Sequence, residues 1–192
     1  LSPELGMMVY KDISGPNDTP DGIIDSWDRV MLRSNNNPVV YGLNLGGSWK
    51  GLSVDMMFSG KLGEWKSISN LAGGVEWNRM WNKWYYDSWT PENPNATLPK
   101  RISKSSPKTY QTNSIFWYKK ANFMRLKYLT ISYELPGNQF YSKLFDKVRL
   151  FVSGANLFCL GNFNKNYYDP EISEGNSYPV MRSWNFGIDV RF

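Results

Sequence analysis

The sequence predicts an all-β chain of antiparallel strands of the transmembrane β-barrel type. Long loops join them at one end and shorter turns at the other. Three observations carry this. First, from Ser183 to Phe192 the residues alternate without exception: Trp184, Phe186, Ile188, Val190 and Phe192 against Ser183, Asn185, Gly187, Asp189 and Arg191. Period-two alternation puts the two sets on opposite faces of a strand. In a membrane barrel one face meets lipid and the other a wet interior, over roughly 9–11 residues per tilted strand. Second, the connections alternate in length: residues 11–38, 60–120 and 158–181 are long, while 49–51 is short and 136–146 intermediate. Barrels of this type have long loops on the outer side and short turns on the other. Third, no stretch approaches the 18 or more apolar residues of a membrane helix, although aromatic residues make up 16% of the chain. Strand-built membrane proteins give a far weaker signal per segment, so this leaves a barrel open.

The elements follow in order. Residues 4–11 contain a short apolar run, Leu5 to Tyr10, that reads as the end of a strand. Lys11 to Asp28 is dominated by Pro, Gly, Asn and Asp, which marks a loop, and residues 34–38 give a second turn signal. A hairpin follows. Tyr41, Leu43, Leu45 and Trp49 alternate with Gly42, Asn44, Gly46 and Ser48; after Lys50-Gly51, Leu52, Val54, Met56 and Phe58 alternate with Ser53, Asp55, Met57 and Ser59. Residues 60–120 break the pattern, and in them Trp77, Trp81 and Trp84 have the spacing of one short helical face. A connection this long counts against a soluble sandwich.

The strand pattern resumes at Phe123. Leu129, Ile131, Tyr133 and Leu135 alternate with Tyr128, Thr130, Ser132 and Glu134, while the blurred faces at Met124 to Lys127 predict a bulge. Pro136-Gly137-Asn138 closes this strand. Val148, Leu150 and Val152 alternate with Arg149, Phe151 and Ser153 in the next, and a loop is expected from about Asn156 to Met181. Five or six such strands cannot close a roomy barrel, and open edges are not tolerated in lipid. The barrel reading therefore expects further strands upstream of Leu1, including one that pairs with the final strand.

Composition removes several kinds of chemistry. There is no histidine, so no histidine-based nucleophilic triad and no histidine-ligated metal. Cys159 is the only cysteine, so no disulfide forms within the chain. The formal charge is +5, and the densest basic run is Lys100, Arg101, Lys104 and Lys108 in a Ser/Pro-rich stretch. No recognisable nucleic-acid module accompanies it, so a solvated loop is expected and no nucleic-acid partner. The chain begins Leu1-Ser2-Pro3-Glu4, without a start Met or a signal peptide's regions, as a mature piece or a fragment would.

Two clusters carry candidate site chemistry. Asp12, Ser14, Asp21, Asp25 and Asp28 stand in the order of a calcium loop, with Gly22 as its turn glycine, if residues 16–20 are an insertion. The insertion breaks the usual spacing and Ser14 replaces the usual Asn or Asp, so an acidic turn without metal is the competing reading. Trp65, Trp77, Trp81, Trp84, Tyr85, Tyr86 and Trp89 form an aromatic pool suited to ligand contact, since such rings offer apolar area with polar tips, and the six from Trp77 to Trp89 are the candidate contacts. Packing between loops is the alternative, with Trp49 and Trp184 at interfacial girdle positions. Asp169-Pro170-Glu171 offers two carboxylates of the kind a glycosidase uses, but no catalytic role is assigned to them.

Several pieces of the chain, in order, resemble the end of SusC/RagA-type TonB-dependent outer-membrane transporters. Tyr10-Lys11-Asp12 followed by Asp21-Gly22-Ile23-Ile24-Asp25 is similar to their acidic segment. Tyr41-Gly42-Leu43-Asn44, Pro91-Glu92-Asn93-Pro94 and Pro99-Lys100-Arg101 follow. Next come Phe123 to Thr130, Tyr133-Glu134-Leu135-Pro136, Ser153 to Phe158, Asp169-Pro170-Glu171 and Tyr178-Pro179. No single motif is diagnostic; their order and spacing are. The resemblance implies that residues 1–192 are the carboxyl-terminal portion of a plugged barrel of about 22 strands, with the plug domain and first strands absent. It implies a location in the outer membrane of a Gram-negative, Bacteroidetes-like cell and import of glycans or peptides. It also implies a SusD-like surface lipoprotein as partner, and energy relayed by TonB through the missing amino-terminal part. On such a loop Asp169 and Glu171 would stabilise the loop or meet the lid protein, and Phe192 would serve as an assembly signal. Calcium is the one cofactor the residues suggest. The alternatives are a soluble, aromatic-rich carbohydrate-binding β-sandwich and a loop-dominated adhesin.

Overall fold

The computed structural model describes residues 4–31, 37–71, 82–101, 113–136, 145–173 and 177–192. The chain divides into two units, residues 36–64 with 120–192 and residues 1–35 with 65–119.

The first unit is a five-stranded antiparallel sheet. Its strands are β1 (Val39–Trp49), β2 (Leu52–Leu62), β5 (Phe123–Glu134), β6 (Lys147–Leu160) and β7 (Ser183–Arg191), in the order β1-β2-β5-β6-β7. The expected hairpin is present. β1 and β2 pair without a break from Val39↔Leu62 to Trp49↔Leu52. Lys50 and Gly51 turn the chain at φ 47° and 85°, and left-handed conformation at both central residues matches the twist of a two-residue hairpin. Gly51 is needed there twice over, because a Cβ would lie 2.6 Å from the Glu134 carbonyl oxygen.

The blurred faces at 124–127 are a bulge. Met57 pairs with Tyr128 but Phe58 pairs with Leu126, so Lys127 is the extra residue against β2. Against β6 the register shifts again: Leu126 meets Phe158 and Tyr128 meets Ala155. Asn156, at φ 55°, takes up that shift. This corrects the expected start of the following loop at Asn156. The alternation fails there because the strand bulges, and β6 continues to Leu160.

Register sorts the side chains into two faces. Trp184, Phe186, Ile188 and Val190 lie beside Gly154, Val152, Leu150 and Val148, which lie beside Leu129, Ile131 and Tyr133 and then Met56, Val54 and Leu52. This face is apolar and open: Phe186 is 81% exposed and Ile188 68%. The other face carries Ser183, Asn185 and Asp189, then Ser153 and Arg149, then Thr130, Ser132 and Glu134, then Asp55 and Ser53. Beyond the bulge it also takes Arg125, paired with Ser59 and Cys159.

The second unit holds the loops. β3 (Trp65–Ser67) pairs with β4 (Tyr118–Lys120), and α1 (Asn82–Asp87) is a short helix. Its buried residues include Ile68, Trp84, Leu98 and Trp117. Trp84 and Trp117 are fully buried, with ring centroids 6.3 Å apart, and the Trp84 indole donates to the Leu71 carbonyl at 3.3 Å. No strand forms at residues 4–11, contrary to expectation. Gly6 (φ 83°) lies inside a turn closed by Met7 N–H donating to the Glu4 carbonyl, and the Gly6 carbonyl accepts from Lys100 N–H at 2.7 Å.

Candidate functional site

Four features bear on function. The first is the two-faced sheet. Large apolar residues that water would drive inward stand outward on this face at Trp184, Phe186 and Ile188, whereas exposed apolar patches on water-soluble monomers are limited in extent. Aromatic rings cap glycines on both faces: the Tyr41 ring lies over Gly60 and donates to the Phe123 carbonyl at 3.1 Å, and the Phe151 ring lies over Gly187. At the end of the sheet Phe192 packs edge-on against Phe145, centroids 5.2 Å apart, and Asp146 N–H donates to the Arg191 carbonyl at 2.8 Å.

The second is an ion-pair group on the polar face. Arg125, with its side chain 3% exposed, donates from Nη2 to Asp169 Oδ1 at 2.6 Å, and its Nε meets the Glu171 carboxylate. Lys127 Nζ reaches Glu171 Oε1 at 2.7 Å, and Glu171 N–H donates to Asp169 Oδ1 at 3.0 Å. The bulge matters here. Arg125 and Tyr128 would face opposite sides of an unbroken strand; with Lys127 inserted between them, all three serve the polar face. The carboxylates of Asp169 and Glu171 are thus engaged within the chain. They anchor the segment of α2 (Asn162–Asn166), where Phe163 is buried against Tyr167 and Tyr168 at 5.1 and 4.9 Å. Burial pushes the Tyr167 phenol upward from its ordinary value. The sequence reading missed Arg125 and Lys127. The matching i, i+2 spacing of Arg125-Leu126-Lys127 and Asp169-Pro170-Glu171 is the signal that would have found them.

The third is the acidic loop. Asp28 accepts N–H bonds from Ile13 (2.7 Å), Ser14 (3.3 Å) and Asp25 (2.9 Å). Asp12 accepts from Gly22 at 2.6 Å, Asp21 from Ile23 at 2.9 Å and Asp25 from Trp27 at 2.8 Å. Asp25 and Asp28 form a capping box on the 3-10 turn Ser26–Asp28. Those bonds, led by the one from Ile13, hold the Asp28 carboxyl below its ordinary value. Asp12 Oδ1 is buried without a partner, and among the described residues no three or more Asp, Glu, Cys or His side chains come together as a metal site would require.

The fourth is the aromatic pool. Trp77 and Trp81 lie outside the described residues. Trp84 is fully buried, which corrects its assignment to ligand contact: its ring is core. Tyr85 and Tyr86 are 63% and 77% exposed and stand edge to face at 4.9 Å. Trp89 sits over Gly6 and lines a groove of about 230 Å³ with Met7, Met8, Leu98 and Phe116. Asp87 orders this region by accepting from Thr97 N–H at 3.0 Å and from its hydroxyl, contacts that lower the Asp87 pKa.

A sheet with one continuous apolar face, one polar face and two long edge strands has the form of a β-barrel wall. No protein-family model matches the chain. It is similar to "TonB-dependent receptor P26" of Formosa agariphila, with 26% identity over 98% of this chain and 20% of that protein. It is likewise similar to "TonB-dependent receptor P3" of the same organism, with 23% identity over 97% and 19%. Among solved structures, the RagAB peptide transporter superposes with a TM-score of 0.60 and 26% identity, over 78% of this chain and 16% of that one. The RagAB peptide importer in its "open-open" state gives a TM-score of 0.66 over 92% of this chain and 20% of that one, at 24% identity. The chain thus spans about a fifth of the curated relatives it matches. The resemblance to the carboxyl-terminal barrel segment of SusC/RagA-type TonB-dependent receptors is borne out, as is the all-β class.

Proposed function

We propose that this chain is part of the wall of an outer-membrane, TonB-dependent importer. The two-faced sheet carries the reading. The face of Trp184, Phe186, Ile188 and Val190 contacts lipid, and the face of Ser183, Asn185, Asp189 and Arg149 lines the solute path. The edges of β1 and β7 pair with strands of the rest of the barrel, because unpaired backbone groups are too costly in lipid. The similarity to proteins named TonB-dependent receptors supports this assignment. A SusD-like surface lipoprotein and TonB, the latter acting on an amino-terminal plug, are the partners proposed. A peptide is the substrate class favoured over a glycan, since the similar solved structures carry the titles of peptide transporter and importer. Tyr85, Tyr86 and the Trp89 groove are proposed as ligand contacts, and Asp169 and Glu171 as loop anchors. We infer that the 12–28 loop is ordered by its own amides rather than by calcium, supported by the six N–H bonds its aspartates accept.

The test uses the full-length receptor in its own cells. Fractionation is expected to find it in the outer membrane. Its deletion is expected to abolish uptake of fluorescent tripeptides while uptake of maltooligosaccharides is unchanged. Recovery in the soluble fraction would refute the wall assignment. Loss of oligosaccharide uptake alone would reverse the substrate class. A saturable heat of Ca²⁺ binding that is lost in Asp12→Asn would overturn the metal-free loop.

A further inference from the structure

We infer that the segment from Gly161 to Ser173 is a fixed, inward-folded ledge that narrows the lumen of the barrel, and that Arg125 is the positioning residue that holds it. This rests on the barrel reading for which face is inward; the ledge itself rests on contacts within the sheet unit.

A loop leaving the end of a strand can extend into solvent or fold back over either face. Here the choice is fixed at three points, of which the Arg125 contacts lie on the polar face. Gly161 starts the fold at φ 164° and ψ 145°, extended backbone held so close to the wall that a Cβ would lie 2.7 Å from the Asn122 carbonyl oxygen. Phe163 is 1% exposed, and Pro170 is among the most deeply buried residues. Between and beside them, Asp169 and Glu171 close on Arg125 and Lys127. Arg125 hydrogen-bonds Asp169 through Nη2 and holds Glu171 against Nε as an ion pair, two contacts from one planar group that a single ammonium cannot reproduce. Breaking one side of a buried pair leaves an uncompensated charge, which is strongly unfavourable. The ledge is therefore a permanent part of the wall rather than a swinging lid. It leaves Asn162, Lys165 and Asn166 exposed, a hydrogen-bonding and cationic rim suited to carboxylate- and carbonyl-bearing solutes.

Cys159 is a built-in reporter, since it pairs with Arg125 in the ladder and lies among the same charged side chains. The experiment measures maleimide labelling of Cys159 in the full-length receptor in intact outer membranes, with any other cysteines replaced by Ser. N-ethylmaleimide and a 5-kDa polyethylene-glycol maleimide are compared. A fixed ledge predicts slow labelling of the native protein by both. Arg125→Ala is expected to accelerate it at least tenfold, and Arg125→Lys, which keeps the charge but not the fork, to fall between. The same order is expected for protease cleavage within 161–173. Equal rates in native, Lys and Ala forms would overturn the proposal. So would fast labelling of the native protein by the large reagent, which would mean an open lid. Val152→Cys, on the apolar face of the same strand, checks the barrel reading separately. It should stay unlabelled in membranes; if it reacts there while Cys159 follows the predicted order, the ledge stands and its inward direction fails. If Arg125→Ala does not assemble, the Asp169→Asn, Glu171→Gln pair replaces it with the same expected acceleration.

Discussion

The pair Trp84–Trp117 in the loop unit and the outward row of β7 in the sheet unit treat large apolar side chains in opposite ways. In the loop unit, Trp84 and Trp117 are fully buried against each other, and Tyr85 and Tyr86, with their polar tips, stand exposed on α1. In the sheet unit, Phe186, Ile188 and Trp184 stand outward, while Arg125 is among the most buried side chains. One arrangement suits water; the other suits a lipid exterior with a polar interior. On the proposed wall reading, the contrast separates residues whose surroundings are protein from residues that would face the membrane. On that reading, burial within the chain misjudges the second group: Phe186, at 81% exposure, is expected to be a contact position rather than a tolerant one.

Substitutions can break this contrast at either end. The largest effect is expected for Trp84→Ala, which opens a cavity in the small loop core and costs about 3–5 kcal/mol. Hydrogen exchange over residues 82–101 of the full-length receptor should rise accordingly, while Tyr86→Ala stays within about 0.5 kcal/mol. Next comes Phe186→Arg, near the middle of β7. On a lipid-facing site it should cost about 2–4 kcal/mol in urea unfolding from phospholipid vesicles. Asn185→Ala, on the other face, is expected within about 0.5 kcal/mol by the same measurement. Gly51→Ala should cost about 1–2 kcal/mol, from the left-handed backbone alone, and more from its close approach to Glu134. The midpoint of unfolding reads this, and Lys50→Gly should not lower it.

The smallest effect concerns pH. Asp28 has a folded-state pKa below its ordinary value because backbone N–H groups, first that of Ile13, stabilise its charged form. A lowered pKa means the charged form favours the folded loop. Its contribution is complete above the ordinary value of 3.8 and is lost as the pH falls through the lower folded value. Protection of the Ile13 and Asp25 amides, corrected for intrinsic exchange, should hold from pH 7 to about 4 and decline below it. Decline between pH 5 and 7 would contradict this.

Much of the sheet was legible because alternation and turn chemistry are local. The hairpin at Lys50-Gly51, the strand from Phe123, the bulge near Lys127 and the final strand all follow from neighbours in sequence. The continuation of β6 past Asn156 was hidden, since a bulge looks like the end of a pattern. The apolar run at residues 5–10 looked like a strand, but a strand needs a partner, and its backbone instead makes a local turn at Met7 and accepts from Lys100 at Gly6. The site was less legible than the fold. Arg125 and Asp169 are 44 residues apart, and the matching i, i+2 spacing of the two charged pairs is the one sign of their pairing in the sequence. Likewise, α1 buries Trp84 and exposes Tyr85 and Tyr86, a choice set by the phase of the helix and by Trp117. Composition alone treats all three as one pool.

The account turns on which face of the sheet meets lipid. A nitroxide scan of residues 183–191, one position at a time in the membrane-embedded full-length receptor, tests this directly. Collisions with oxygen, which concentrates in lipid, should peak at 184, 186, 188 and 190, and collisions with a water-soluble nickel chelate at 183, 185, 187 and 189. Alternation in the opposite phase, or high nickel accessibility at every position, would contradict a lipid-facing wall.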